Sequence, residues 1–321
     1  MFKIKVYENL DECRQLWQNN WANACLFDLW PVRDCFQKQY NNRPYFLVAE
    51  DHGKLCGLLA LSWIEEKQCF GHFPGETWQG KTWLEQNRIA ARDIDVFKTL
   101  LAHLPDETKI RYLTRESMLL DEEAMRLDEI GYMFFPRQYG YSFKKYMQQF
   151  SGKSRKKLGR ELDHLKAPGL SIRHDRLSDV DLMFRMNLEA FGEWSYFNDS
   201  RFMHAFEDLL AWLHKKRLLR VTTILLGGKA AAVDVGALWG SSYTVLAGGT
   251  HPEFPGVAKL INFHHLEWAC FQRLEVVDFL CGNFGWKERF HLTPRPLYQI
   301  HIPSKTETPK DLHAEKRIAC A

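Results

Sequence analysis

The chain has no CxxC pair, and none of its eight cysteines (13, 25, 35, 56, 69, 270, 281 and 320) stands at the close spacing of a zinc site. Neither HExxH nor GxSxG occurs, which removes the usual signs of a helix-borne metal and of an activated serine. His264, His265 and Glu267 lie together without metal spacing, so they read as helix surface and core residues. No uncharged apolar run approaches the ~18 residues of a membrane-spanning helix. The start, Met1-Phe2-Lys3-Ile4-Lys5-Val6-Tyr7-Glu8, lacks the apolar core of a signal peptide. Thiols without an export signal predict a reducing, cytoplasmic setting. Net charge is only +3, so no overall field draws the chain to nucleic acid or to an anionic membrane. Any such attraction needs a local patch.

What is present fits a globular protein with a sizeable core. Hydrophobic residues make up 45% and charged residues 26% of 321 positions, enough for two domains. The patterning predicts a mixed α/β chain. In the first half, strands are expected over residues 2–7, 44–50, 55–64, 68–73 and 109–114, with helices over 11–21 and 85–104. An acidic helix is expected over residues 121–130, stopped by Gly131, with two short strands over 132–143. The second half repeats the order. Strands over 170–174, 221–226, 230–239, 242–247, 276–280 and 296–302 surround helices over 179–191, 199–216 and 258–274. Each half carries a Gly-Lys turn between its central strands, Gly53-Lys54 and Gly228-Lys229. The repetition of elements predicts a structural duplication, with domains at 1–150 and 151–303 and a polar tail at 304–321.

Two stretches could carry chemistry. The first, residues 248–259 (GGTHPEFPGVAK), crosses from a strand to a helix. A helix start leaves backbone N–H groups without internal partners and suits a phosphate or carboxylate, although spacing alone also fits an ordinary connection. The second, residues 278–290 (DFLCGNFGWKERF), ends a strand in a Gly-rich turn that presents Trp286, Lys287 and Arg289. Asp234 is an acid inside an otherwise apolar strand, where an unpaired charge is costly, so it is paired or functional. Asp278 and His251 are further candidate bases. Lys153, Arg155, Lys156, Lys157 and Arg160 form the strongest local charge, followed at once by Glu161 and Asp163. That run is either a solvated helix face or a docking site for an anion.

With these motifs in order, residues 151–302 resemble the acyltransferase branch of the GNAT superfamily that includes cellulose-biosynthesis-type proteins. They are also similar to the Fem peptidyltransferases, which carry two GNAT folds in one chain. The shared features are the basic helix start at 151–160, the His-Pro…Pro-Gly of 251, 252, 255 and 256, and the D-F-x-x-G…W-K-x-x-F of 278–290. The resemblance implies two tandem GNAT-like folds, each a mostly antiparallel sheet flanked by helices. It implies that Gly249, Pro255, Gly256, Val257, Ala258, Lys259 and Gly282 receive the donor, an acyl-CoA or acyl-carrier thioester, in the gap between two splayed strands. Asp234, Asp278, Lys287 and His251 become the catalytic candidates, and Trp286, Arg289 and Arg155 the substrate-binding ones. No metal and no covalently bound cofactor are implied. The family's donor loop carries several glycines (Q/R-x-x-G-x-G/A), whereas here only Gly256 stands in it. The implied reaction is direct attack by an amine, from a small molecule or the cell envelope, on the acyl carbonyl. The alternatives are aminoacyl transfer from tRNA in the Fem manner, or a catalytically silent binding module.

Overall fold

The computed structural model describes residues 2–115, 125–282 and 285–303. In chain order it forms β1 (Lys3–Tyr7), α1 (Leu10–Asn20), α2 (Trp30–Tyr40), β2 (Arg43–Asp51), β3 (Lys54–Ile64), β4 (Cys69–His72), β5 (Ala90–Ala91), α3 (Ile94–Ala102), β6 (Thr108–Thr114) and β7 (Arg126–Phe134). Next come α4 (Phe143–Met147), α5 (Gly152–Lys166), β8 (Leu170–His174), α6 (Val180–Phe191), α7 (Ser200–Lys215), β9 (Leu219–Leu226) and β10 (Lys229–Trp239). The described chain closes with β11 (Ser242–Thr250), α8 (Val257–Gln272), β12 (Val276–Asp278), α9 (Trp286–Arg289) and β13 (Thr293–Ile302).

Local chemistry sets these boundaries. Asn9 starts α1 by accepting from the N–H groups of Asp11 and Glu12, and Asp199 starts α7 by accepting from Arg201 and Phe202. α7 buries Phe202, Ala205, Phe206, Leu209, Leu210 and Leu213, the three- and four-residue spacing of one helix face. The β9–β10 hairpin turns through Gly227 and Gly228, both with positive φ, which a two-residue connection of this hand requires.

The strands gather into two compact units that are not contiguous in sequence. One holds residues 1–21, 40–128 and 297–321; the other holds 22–39 and 129–296. The domains expected from the sequence, 1–150 and 151–303, are contiguous blocks. Within the first unit the strand order is β1-β2-β3-β4-β6-β13, and within the second it is β8-β9-β10-β11-β12-β7. Each unit is mostly antiparallel, and each contains one parallel pair, β4 with β6 and β11 with β12. The duplication is therefore topological, with one exchange. β7 follows β6 in the chain but pairs with β12, whereas β13 follows β12 and pairs with β6.

Three expectations need correcting. Residues 126–134 are strand β7, not the end of an acidic helix, while 121–124 lie outside the described residues. Asp128 is committed to Arg111 at 2.8 Å and to the backbone N–H of Tyr112 at 3.1 Å, and residues 133–134 pair with β12. Tertiary pairing overrides the helical composition. Of residues 85–104 only 94–102 are helical, because Asn87 is drawn to the edge of β6. Of residues 132–143, where two short strands were expected, 132–134 belong to β7, while 136–139 form a tight helical turn and α4 begins at 143. The polar tail at 304–321 lies outside the described residues.

Candidate active site

β11 and β12 pair through only three positions: Ser242 with Val276, Tyr243 with Val277 and Thr244 with Asp278. β11 then runs on to Thr250 while β12 stops, so one edge of β11 has no neighbouring strand among the described residues. Its register against β10 also slips between Val235 and Gly236, which adds local twist where the two strands part. This is the gap expected between splayed central strands.

Two glycines in β11 adapt that edge. A Cβ on Gly248 would run into Asp234 Oδ1, so the carboxylate occupies the space of a missing side chain. A Cβ on Gly249, on the opposite face, would stand 2.7 Å from both the Met183 carbonyl oxygen and Met186 Cβ, so α6 lies against the strand. Asn187 of α6 donates to the Gly248 carbonyl at 2.8 Å, and Ser195 donates in turn to Asn187 Oδ1 at 2.7 Å. The Gly248 carbonyl therefore leaves β11 on the side away from β10. In a strand the N–H of a residue leaves on the same side as its C=O, so the Gly248 N–H also faces the open edge.

Asp234 is placed by β10 opposite Gly248 on one side and Thr222 on the other. It is 6% exposed. Its Oδ2 accepts from Nε2 of fully buried His265 at 2.9 Å, while Oδ1 has no hydrogen-bond partner among the described residues. Tyr243 lies over Gly236, where a Cβ would stand 2.5 Å from its ring, and next to His265 at 5.3 Å between ring centroids. Burial, with the charge of Asp234, pushes the Tyr243 hydroxyl well above the ordinary phenol range. Farther along α8, His264 stacks on His174 at 5.4 Å, and burial lowers its imidazole to about 3. His174 is lowered as well, by burial and by Arg220. Arg220 lies on the Trp268 ring at 3.8 Å.

The other sequence candidates have different surroundings. Lys287 is buried, and its ammonium donates to the carbonyls of Phe279, Leu280 and Cys281 at 2.8, 2.8 and 2.7 Å. Those three bonds use the three N–H groups of an ammonium, so Lys287 fastens the loop after β12. Leu280 and Gly282, both with positive φ, turn these carbonyls inward. Asp278 accepts from Arg295 at 2.6 and 3.3 Å and from the Leu280 N–H at 2.9 Å. Trp286 packs on Phe279 and Phe290 within the core, and Arg289 donates to the Gly285 carbonyl at 2.9 Å. His251 accepts from the Glu253 N–H at 3.3 Å inside its own turn.

The expected donor loop begins α8. Gly256 has φ +88, and the Val257 and Lys259 N–H groups bond to the carbonyls of Phe254 and Gly256. Pro255 and Ala258 complete the turn. Lys259 pairs with Glu161 of α5 at 2.6 Å, and Leu165 comes nearest to Gly256. α5 thus meets the start of α8 at Glu161 and Leu165, just past the end of its basic run. Arg155, toward the other end of α5, is exposed and donates to the Gln148 carbonyl at 3.4 Å.

The first unit treats the corresponding edge differently. β4 and β6 pair only at Phe70 and Thr108, but Asn87 fills the space beyond. Its N–H donates to the Tyr112 carbonyl at 2.8 Å, its carbonyl accepts from Thr114 at 3.0 Å, and its side chain donates to the Arg111 carbonyl at 2.8 Å. Glu76 gathers the incoming segment by accepting from the backbone of Trp83 and Leu84 and from the Thr82 hydroxyl. The open edge is thus confined to the second unit among the described residues.

Sequence reasoning named Asp234 but not Asn187, Ser195 or the pairing of Asp234 with His265; Asn187 and His265 meet their partners 61 and 31 residues away in the chain. The Gly248-Gly249 pair inside a strand was the available signal, since such glycines mark a close approach.

Residues 152–288 match the acetyltransferase (GNAT) domain family model. Among solved structures, FemX is 10% identical, with a TM-score of 0.56 over 92% of this chain and 97% of that one. A conserved protein of unknown function from Bacteroides thetaiotaomicron is 13% identical, with a TM-score of 0.55 over 94% and 100%. L-PGS from Bacillus licheniformis is 10% identical, with a TM-score of 0.52 over 95% of each chain. Likeness at these identities concerns the fold alone. No curated protein matches the sequence.

Proposed function

We propose, from the premise that this chain is a GNAT-superfamily member resembling Fem-type proteins in fold, that its second unit transfers an acyl group from a thioester to an amine. The observation that carries this reading is the open edge of β11, with the free Oδ1 of Asp234 lying against it at Gly248. A donor of the acyl-CoA or acyl-carrier kind would lie in the gap beside β12. Its phosphates would meet the start of α8, from Pro255 to Lys259, and the cations of α5 beside it.

The chemistry then follows from the residues at hand. The nitrogen of the acceptor attacks the acyl carbonyl carbon, a C–N bond forms, and the C–S bond breaks with its electron pair leaving on sulfur. The proton lost by nitrogen goes to Asp234 Oδ1, which acts as general base. Negative charge building on the carbonyl oxygen is met by a backbone N–H of the open edge, with that of Gly248 facing it. Lys287 is left out of this role because its protons are engaged. Asp278 is left out because Arg295 and Leu280 hold its carboxylate.

Melting of the purified protein against acetyl-CoA, longer acyl-CoAs and free CoA tests the donor. A ligand at 100 times its dissociation constant adds ~2.7 kcal/mol to the folded state. A rise in Tm with these ligands, and amine-dependent release of free thiol that Asp234→Asn abolishes, is the expected result. No shift and no thiol release with any thioester removes the reading.

A second reading, aminoacyl transfer from tRNA, draws on the exposed α5 run from Lys153 to Arg160, tied beside α8 through Glu161. Ribonuclease sensitivity and a steep fall of binding with salt would favour it.

A further inference from the structure

Several buried polar side chains lie on the face of β10 that carries Asp234. His265 Nδ1, His264 Nε2 and Arg220 Nε are closed to solvent and hydrogen-bonded to no protein atom, and the buried hydroxyls of Thr222 and Tyr243 lie within reach of one another. They come from β9, β11 and α8 and surround Asp234 on the face of β10 that α8 covers. Thr222 is the cross-strand neighbour of Asp234, and Tyr243 lies near enough to feel its charge. Leaving one such group dry costs ~1–3 kcal/mol.

The Asp234–His265 contact fixes which nitrogen carries hydrogen. A carboxylate oxygen only accepts, so the bond of 2.9 Å puts the hydrogen on Nε2. Nδ1 is then the lone-pair nitrogen, buried and without a protein partner among the described residues. No Lys or Arg pairs with Asp234 among the described residues. The charged and titratable groups packed about the pair are Tyr243 from β11, His264 from α8 and Arg220 from β9. Beyond them lie His174 and Asp175 at the end of β8, and Arg220 is engaged with Trp268 and with His174 at 3.3 Å. Among the described residues, His265 is therefore the donor that holds this carboxylate.

We propose that His265 is the positioning residue of the acyl-transfer base: its Nε2–H pins Asp234 Oδ2, so that Oδ1 is held aimed at the open edge of β11. The inference rests on Asp234 being the base, as argued under the proposed function. Gly248 supplies room for the aimed oxygen, and His265 supplies the reason that it points there.

The experiment compares Asp234→Asn, His265→Leu and His265→Gln in thiol-release assays across pH, with melting of each variant as a check on folding. Gln carries a donor near the position of His Nε2, whereas Leu carries none. His265→Leu is expected to lower kcat by about 100-fold, the scale of one general-base contribution, with KM for the donor within about twofold. His265→Gln recovers most of kcat. Equal loss in both His265 variants overturns the proposal while leaving the base in place. Full activity in Asp234→Asn overturns the functional reading, and the role of His265 with it. The nitrogen-15 spectrum of the wild-type imidazoles gives a test independent of activity: His265 must hold hydrogen on Nε2 with Nδ1 bare, and any other pattern overturns the assignment.

Discussion

The carboxylate of Asp234 stands where a side chain on Gly248 would be. The two residues face one another across β10 and β11, and each constrains what the other can become. Gly248→Ala must push the carboxylate away from β11 or bend the strand. Overpacking of this kind costs about 1–3 kcal/mol. We expect a lower Tm by that measure and a loss of thiol release larger than the loss of stability explains. Denaturant melts of Gly248→Ala and Asp234→Asn, set beside their turnover, check this.

Lys287 gives a different outcome. Its three bonds to backbone carbonyls fasten the loop after β12, so Lys287→Met leaves those carbonyls without their buried donor. Bonds to a charged group are worth about 1.5–3 kcal/mol each, although three on one ammonium do not add. The variant is expected to lose at least about 2 kcal/mol of stability in urea unfolding. Full stability in Lys287→Met would mean that the ammonium serves a ligand instead.

Donor stoichiometry follows from the contrast between the two units. Asn87 lies along β6, the counterpart of β12, and so fills the gap that in the second unit stays open beside β11. Calorimetric titration is therefore expected to give one thioester donor per chain. A value near two would show that the Asn87 segment yields to a ligand.

His264 makes stability depend on pH. Its imidazole is lowered from 6.5 to about 3, so between those values the unfolded chain binds a proton that the folded chain refuses. Stability from this group is fully present above pH 6.5 and is lost as pH falls toward 3. The ideal slope of ~1.4 kcal/mol per pH unit is an upper bound, because the ring is partly exposed and screened. His264→Asn is expected to flatten the decline of Tm between pH 6.5 and 4. An unchanged slope would assign the acid sensitivity to other groups.

Much of this fold was legible in the residues themselves. The hairpins β2–β3 and β9–β10 announced themselves by β-rich runs joined through Gly-Lys turns, and α8 by its apolar stripe. β7 did not, because its acidic residues and Gly131 resemble a helix and its stop; pairing with β12 decides its conformation. α2 also went unread, since Pro31 sits inside it, at the first turn where a missing N–H costs nothing. Asp234 was visible as an acid in an apolar strand. Its partner was not, because His265 lies 31 residues away and meets it only when α8 packs on β10.

The exchange of β7 and β13 carries a consequence for how the chain is made. The first unit lacks its closing strand until residues 297–302 have been synthesised, although the rest of it is complete by residue 128. Until then the edge of β6 stays unpaired on a nascent chain, an invitation to wrong pairing. The second unit, by contrast, receives β7 before its own strands exist. A cut at residue 150 would leave the first fragment with a surplus strand and the second with a missing one, so the two pieces should regain structure only when mixed.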